Sequence, residues 1–328
     1  MMLCRVADSL FWMSRYMERA ENTARMVEAN LQLMLDSQTL GLGPVDEFWS
    51  PILGSMGDDI IFNKQYDQMN NQNVMDFLVF NRKNSSSVLS CVIAARENAR
   101  MVRDQISDEM WEITNRLYHM LFKSSSYAVG HSELYDQLRQ VREFSNLLVG
   151  ATEGTYNHGT GYLFIKAGRF LERVEKTGRM LDSKKHLFLF DEADSTLIIN
   201  LEAVLRACSA STAYQQTYDA DLTLKNVLQL MILSREFPRS MLFSMNELQL
   251  AIHGISQCPI THFSNEAERM CGLMISKLNY ASVEEIIKSD AHTFLMDIHH
   301  MTQKLTLKLS REYMFFDIVD PAAEAVSQ

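Results

Sequence analysis

Three features of the sequence predict an all-α fold: few helix breakers, long stretches in which apolar residues recur every three to four positions, and no run that alternates like a strand. The 328 residues include only 13 Gly and 5 Pro, but 21 Met. Methionine is a good helix former that also fills irregular cores. Apolar positions at helical spacing give each segment one buried face. A chain of this length buries a sizeable core. Short loops imply antiparallel neighbours, so the expected architecture is one elongated helical bundle.

The elements follow in order. Residues 3–36 read as one long helix, with Leu31, Leu33, Met34 and Leu35 continuing its apolar side and Gly41, Gly43 and Pro44 closing the region. The stretch 45–82 is less regular, with short helices near 47–55 and 73–80. Ser85, Ser86 and Ser87 offer N-caps for a helix running to Ile106, and Ser107 caps another running to about Lys123. A break at 124–126 precedes a long helix over 132–155. After the turn Asn157-His158-Gly159-Thr160-Gly161 comes a helix over 161–182. Past a looser connection at 183–194, helices are expected at 195–217, 222–234, 238–256, 264–279 and 282–314, with Pro238 in the first turn of its helix. The tail, 317–328, is expected to fray.

One charged helix is written twice. Arg15-Tyr16-Met17-Glu18-Arg19-Ala20-Glu21-Asn22-Thr23-Ala24-Arg25-Met26 returns as Arg169-Phe170-Leu171-Glu172-Arg173-Val174-Glu175-Lys176-Thr177-Gly178-Arg179-Met180, with seven of twelve positions identical. On a helix Arg15, Glu18, Arg19, Asn22 and Arg25 share an arc of about 120°. A repeat kept for packing would preserve the apolar stripe; here the polar face recurs, so that face has a contact to make. The single domain, 1–316, therefore reads as two related halves of about 1–156 and 157–316. A fainter echo, Ala95-Arg96-Glu97-Asn98-Ala99-Arg100-Met101-Val102, places Arg96, Arg100 and Arg103 on one helix face.

Composition narrows the function classes. The net charge of −10 argues against general nucleic-acid binding. Five scattered cysteines with no C-x-x-C pair suit a reducing cytoplasm and structural thiols rather than a disulfide framework. No apolar run reaches membrane-spanning length, and the first residues lack a signal-peptide pattern. There is no His-Glu-x-x-His, no paired Glu-x-x-His and no Walker loop, so neither a metal nor a nucleotide cofactor is expected.

Arg5-Val6-Ala7-Asp8-Ser9-Leu10-Phe11-Trp12-Met13-Ser14-Arg15-Tyr16-Met17-Glu18-Arg19-Ala20-Glu21-Asn22-Thr23-Ala24-Arg25 resembles the opening of the bacterial alpha-E domain family. Further similarity lies at 95–104 with Trp111, at Gly168-Arg169-Phe170-Leu171-Glu172-Arg173, at Ser211-Thr212-Ala213-Tyr214, at Phe237-Pro238-Arg239-Ser240, at Tyr280 and at 305–315. The resemblance covers nearly the whole chain. Cys4 stands where that family usually has Ser, and Gly178 replaces a more typical Ala. The resemblance implies a partnership with a circularly permuted ATP-grasp protein, in an ATP-dependent system that makes or modifies peptide or amide bonds. It names no catalytic residue.

Two readings of the charged face remain open. In the structural one, the two motif helices cross near a pseudo-twofold axis; Glu18 pairs with Arg173 and Glu172 with Arg19, through bidentate forks that Lys cannot copy. In the functional one, Arg15, Arg19, Arg25, Arg96, Arg100, Arg103, Arg169, Arg173 and Arg179 line an anion site for a small acidic substrate or for the ligase. Glu18, Glu172 and His158 are the candidate acid–base groups. A stand-alone enzyme acting on an acidic amino compound, with Glu18 or Glu172 as base, is the alternative to an accessory partner. Association of copies of the chain is left open.

Overall fold

The computed structural model describes residues 2–40, 45–124, 131–184, 195–218 and 221–314. The closing residues Gly41, Gly43 and Pro44, most of the expected break at 124–126, nearly all of the connection at 183–194 and the tail 317–328 lie outside them. The described residues contain helices and no strand: α1 (Cys4–Leu40), α2 (Val45–Met56), α3 (Asp59–Asn63), α4 (Asn71–Met75), α5 (Val88–Met101), α6 (Asp108–Ser124), α7 (His131–Thr155), α8 (Thr160–Asp182), α9 (Ser195–Ala207), α10 (Ser211–Thr217), α11 (Leu224–Leu228), α12 (Met241–Ser256), α13 (Glu266–Asn279), α14 (Val283–Lys288) and α15 (Ala291–Leu309). None is long and apolar enough to cross a membrane.

Helices α1 and α8, which carry the two charged motifs, pack on each other more extensively than any other pair. α5 lies along α1, and α12 lies along α8. The approach of α1 and α8 is set by small residues. A Cβ on Gly168 would stand 2.3 Å from the Phe11 carbonyl oxygen, so only glycine lets the backbones meet here. The Ser14 hydroxyl donates to the Ile165 carbonyl at 2.8 Å. Ser14 and Phe11 are offset from Gly168 and Ile165 as Arg15 is from Arg169, so each helix offers the other the same pair of positions.

A second device also occurs twice. Asn70 caps α4 and Thr223 caps α11, each accepting from the backbone N–H three residues on. Both short helices continue into a π-helical turn, Asp76–Phe80 and Gln229–Leu233. A turn then leads to an N-cap serine, Ser87 for α5 and Ser240 for α12.

Several boundaries differ from the sequence reading. The expected helix 195–217 is two helices, because Ser209 takes a left-handed backbone (φ 51) between α9 and α10. The expected 282–314 also divides, at Asp290 (φ 77), whose side chain caps α15. Pro238 lies outside its helix: α12 begins at Met241 behind the Ser240 cap, which satisfies Phe243 N–H. The helix from Val88 stops at Met101 rather than Ile106, and α3 was missed because five residues show no period.

Candidate functional site

The carboxylate of Glu172 is fully buried on α8, and that of Glu18 nearly so on α1. Each is held by guanidinium groups from the opposite helix. Arg173 Nε and Nη2 donate to the two oxygens of Glu18 at 2.8 and 2.9 Å. Arg19 Nε and Nη2 donate to those of Glu172 at 2.6 and 3.1 Å. The reciprocal pairing expected from the recurring motif is thus present. Planar forks matched to carboxylates fix the rotation of each helix about the other as well as binding it. Such pairs specify geometry more surely than they add stability, since burying charge is costly.

Further groups complete the network. Asn22 donates to Glu18 at 2.9 Å, and Arg15 Nε donates to Glu172 at 2.8 Å. Arg25 pairs with Glu21 at 2.7 Å, as Arg179 pairs with Glu175 at 3.6 Å. The outer nitrogens of these two arginines reach serines: Arg25 bonds the Ser209 hydroxyl and Arg179 the Ser55 carbonyl. Ser145 of α7 donates to Glu21 at 2.6 Å, and His299 of α15 stands 4.0 Å from Glu175. Burial alone would raise both central carboxylates. Around Glu18 that effect is outweighed by Arg173, Arg239 and Asn22, which hold its pKa at about 2. Arg19 and Arg15 hold Glu172 lower still.

The nine candidate arginines do not form one surface. Arg15, Arg19, Arg25, Arg173 and Arg179 belong to the network just described. Arg96, Arg100 and Arg103 find their partners on α5 and α6. Arg96 bonds Asn115 and Glu97 and stacks over Tyr118, Arg100 pairs with Glu97, and Arg103 pairs with Asp108. The cause is packing: Val92, Ala95 and Ala99 are buried, which turns the arginines of α5 away from that face.

Arg169 is the exception on α8. Its Nη2 lies 3.6 Å from the half-exposed Glu153, and its buried Nε has no hydrogen-bond partner. His158, the third acid–base candidate, is exposed; its ring stacks on Tyr162 and its Nε2 lies 3.0 Å from the Glu153 carbonyl.

Arg239 was not among the candidates, although it lies in a motif that carried the family resemblance. Just before α12, it pairs with Glu21 and approaches Glu18 at 3.7 Å. Lys176, buried beside Glu172 at 3.9 Å, was also missed. Its place in the repeated motif, opposite Asn22, was the available signal.

His253, Cys258 and Glu268 each offer a ligand atom within 4.8 Å of the others. Both oxygens of Glu268, however, already accept hydrogen bonds, from Ser264 N–H at 2.6 Å and from Asn265 and Tyr313 at 3.0 Å. This cluster organises the start of α13.

An all-α body centred on reciprocal Glu-Arg pairs defines a class of protein. The chain belongs to the Alpha-E family, described as a predicted alpha-helical domain with a conserved ER motif, whose model matches residues 2–314. It is 24% identical over 296 residues to an uncharacterized protein of Mycobacterium bovis and to one of Mycobacterium tuberculosis, covering 86% of this chain. A second Mycobacterium tuberculosis protein, also uncharacterized, is 23% identical over the same length. The match covers 33% of each relative, so the chain spans about a third of their length. No solved structure matches it.

Proposed function

We propose that this protein is the partner of a circularly permuted ATP-grasp ligase in the bacterial cytoplasm, helping it make or modify a peptide or other amide. The ATP-grasp partner is what the alpha-E resemblance implies, and the length of the relatives supports a role shared with further protein. In them the matching segment is 33% of a longer chain, so a helical unit of this kind is joined to further protein. A unit covalently joined to other domains in one organism is a natural separate subunit in another.

The chemistry of the site supports an accessory role. Glu18 and Glu172, the candidate bases, have both oxygens engaged by arginine and are held ionised well below neutral pH. A carboxylate so stabilised is a poor proton acceptor. In this scheme the ligase uses ATP to activate a carboxylate as an acyl phosphate. The helical partner supplies arginine to an acidic substrate or to the ligase surface. The recurring caps, π-helical turns and Glu-Arg pairs support reading 1–156 and 157–316 as copies of one ancestral unit.

Co-purification with a circularly permuted ATP-grasp protein of the same organism, followed by ADP release in the presence of amino-acid pools, tests the proposal. ADP release should need both proteins, and calorimetric titration of the isolated chain with Mg-ATP should show no binding. Micromolar ATP binding or turnover by the chain alone would replace this reading with the stand-alone enzyme.

A further inference from the structure

Arg15 and Arg169 hold the same position in the repeated motif, and their surroundings correspond group by group. Arg15 is closed. Its Nε and Nη2 meet Glu172 at 2.8 and 2.7 Å, Nη2 also reaches Glu175 at 3.2 Å, and Nη1 donates to the Thr306 hydroxyl at 3.2 Å. Thr306 in turn donates to the carbonyl four residues back, Thr302, at 3.0 Å.

Around Arg169 the equivalents of those carboxylates are Glu18 and Glu21. Both are already occupied: Arg173 and Asn22 hold Glu18, Arg25 and Ser145 hold Glu21, and Arg239, entering from the turn before α12, pairs with Glu21 and stands 3.7 Å from Glu18. No arginine stands at the corresponding place before α5, where the chain reads Ser85-Ser86-Ser87. Arg169 Nε is therefore left without a partner.

The rest of the closed copy is preserved. Thr152 stands where Thr306 would, and donates to the Leu148 carbonyl at 2.7 Å, which leaves its oxygen free to accept from a guanidinium. Thr152 and Arg169 line one small cleft with Glu18, Ser145 and the apolar Met13, Met17, Leu148 and Val149, and its free volume is about 20 Å³. That is room for little more than one water, so at most a carboxylate group enters and the rest of the ligand stays outside.

We propose that Arg169 is the guanidinium of a carboxylate-binding subsite, entered between α7 and α8, with Thr152 orienting the fork. The ligand's carboxylate supplies to Arg169 Nε the contact that Glu172 makes with Arg15 Nε. Of the charged residues lining the cleft, Glu18 is already neutralised by Arg173 and Arg239, while Arg169 has only Glu153, at 3.6 Å. Burial, and next the adjacent Arg173, disfavour the Arg169 charge in the unliganded protein, and the attraction of an incoming anion offsets both. The subsite rests on the acidic-substrate part of the function proposed above and not on the ligase partnership.

The test follows the guanidinium Nε–H resonances of the isolated, isotope-labelled protein during titration with L-glutamate, with an acidic peptide, or with inorganic phosphate. A saturable shift at Arg169, with Arg173 unmoved, is expected from a carboxylate ligand. Response to glutamate identifies a small-molecule source, and response to the peptide alone identifies an acidic side chain of a partner. Arg169→Lys keeps the charge but loses the fork, and should weaken binding by roughly tenfold or more, the loss of one charge-assisted hydrogen bond. No saturable change with either carboxylate, or an equal change with phosphate, would overturn the proposal. The titration contains no ligase, so failure of the ADP-release assay and failure of the subsite are separate results.

Discussion

Gly168 lies against the Phe11 carbonyl oxygen so closely that a Cβ would stand 2.3 Å from it. The two backbones that carry the Glu-Arg motifs are in direct contact at this point. The reciprocal forks deeper along the helices depend on that separation.

Gly168→Ala should therefore lower stability by about 1–3 kcal/mol, the usual cost of overpacking. The intrinsic helix preference for Ala, about 1 kcal/mol, acts in the opposite direction and is outweighed. Gly178→Ala is the control, since its Cβ would meet only the flexible end of Met241 at 3.4 Å. It should be neutral or stabilising by about 0.5–1 kcal/mol. Thermal melts of the two variants side by side decide the matter, and equal melting temperatures would mean that α1 and α8 have room to spare.

Glu172→Gln should be costly, because it leaves Arg19 and Arg15 buried without their shared counter-charge. Removing one partner of a buried pair costs about 3–5 kcal/mol. Arg19→Lys keeps the charge but loses the second hydrogen bond of the fork, at a cost of about 1.5–3 kcal/mol. Denaturant unfolding measures both. Wild-type stability in each would show the pairs to be solvated rather than buried.

Acid should weaken the fold through the same groups. Glu18 falls from its ordinary 4.5 to about 2 in the folded state, and Glu172 is also depressed. A depressed carboxylate contributes stability above its unfolded pKa and loses it as pH falls through the folded one. That contribution is thus complete above about pH 4.5 and disappears toward pH 2. Glu18→Gln removes one titrating group, so its unfolding free energy should fall less steeply over this window than that of the wild type.

Lys184 should act in the opposite direction. Its ammonium is buried, donates to Asn200 at 2.9 Å, and is pushed down from 10.5 to about 8 by burial. A lysine depressed in this way penalises the fold fully below pH 8, and the penalty fades as pH rises toward 10.5. Lys184→Met should be more stable than the wild type at pH 7, with the advantage shrinking at higher pH. Taking the difference between the two proteins cancels the cysteines and tyrosines that titrate in the same range. A gap independent of pH would show that the lysine stays charged in the fold.

Much of the helical framework was legible because amphipathic period and cap residues are local signals. Ser87 and Ser107 were recognised as helix starts, and each accepts from the backbone N–H three residues on. The reciprocal pairing was legible for a different reason: a polar face that recurs must meet a complementary face, and here the complement was the other copy. The breaks at Ser209 and Asp290 were not legible, since a left-handed turn at Ser or Asp carries no glycine to announce it. Arg96, Arg100 and Arg103 looked like further members of the site. Spacing placed them on one face of the helix expected to run to Ile106, but gave no information on which neighbour that face would meet.

The sequence by itself determined that the chain is all-α and that one charged helix recurs, and it offered the pairs Glu18–Arg173 and Glu172–Arg19 as one of two readings of that helix. Those properties follow from period, capping and charge, which act over a few residues. Only the tertiary structure decided that Arg239 would reach Glu21, that Arg15 would be closed and that Arg169 would be left open. These outcomes depend on which segments the packed core brings within hydrogen-bond reach, and side-chain competition at such distances has no local signature in the chain.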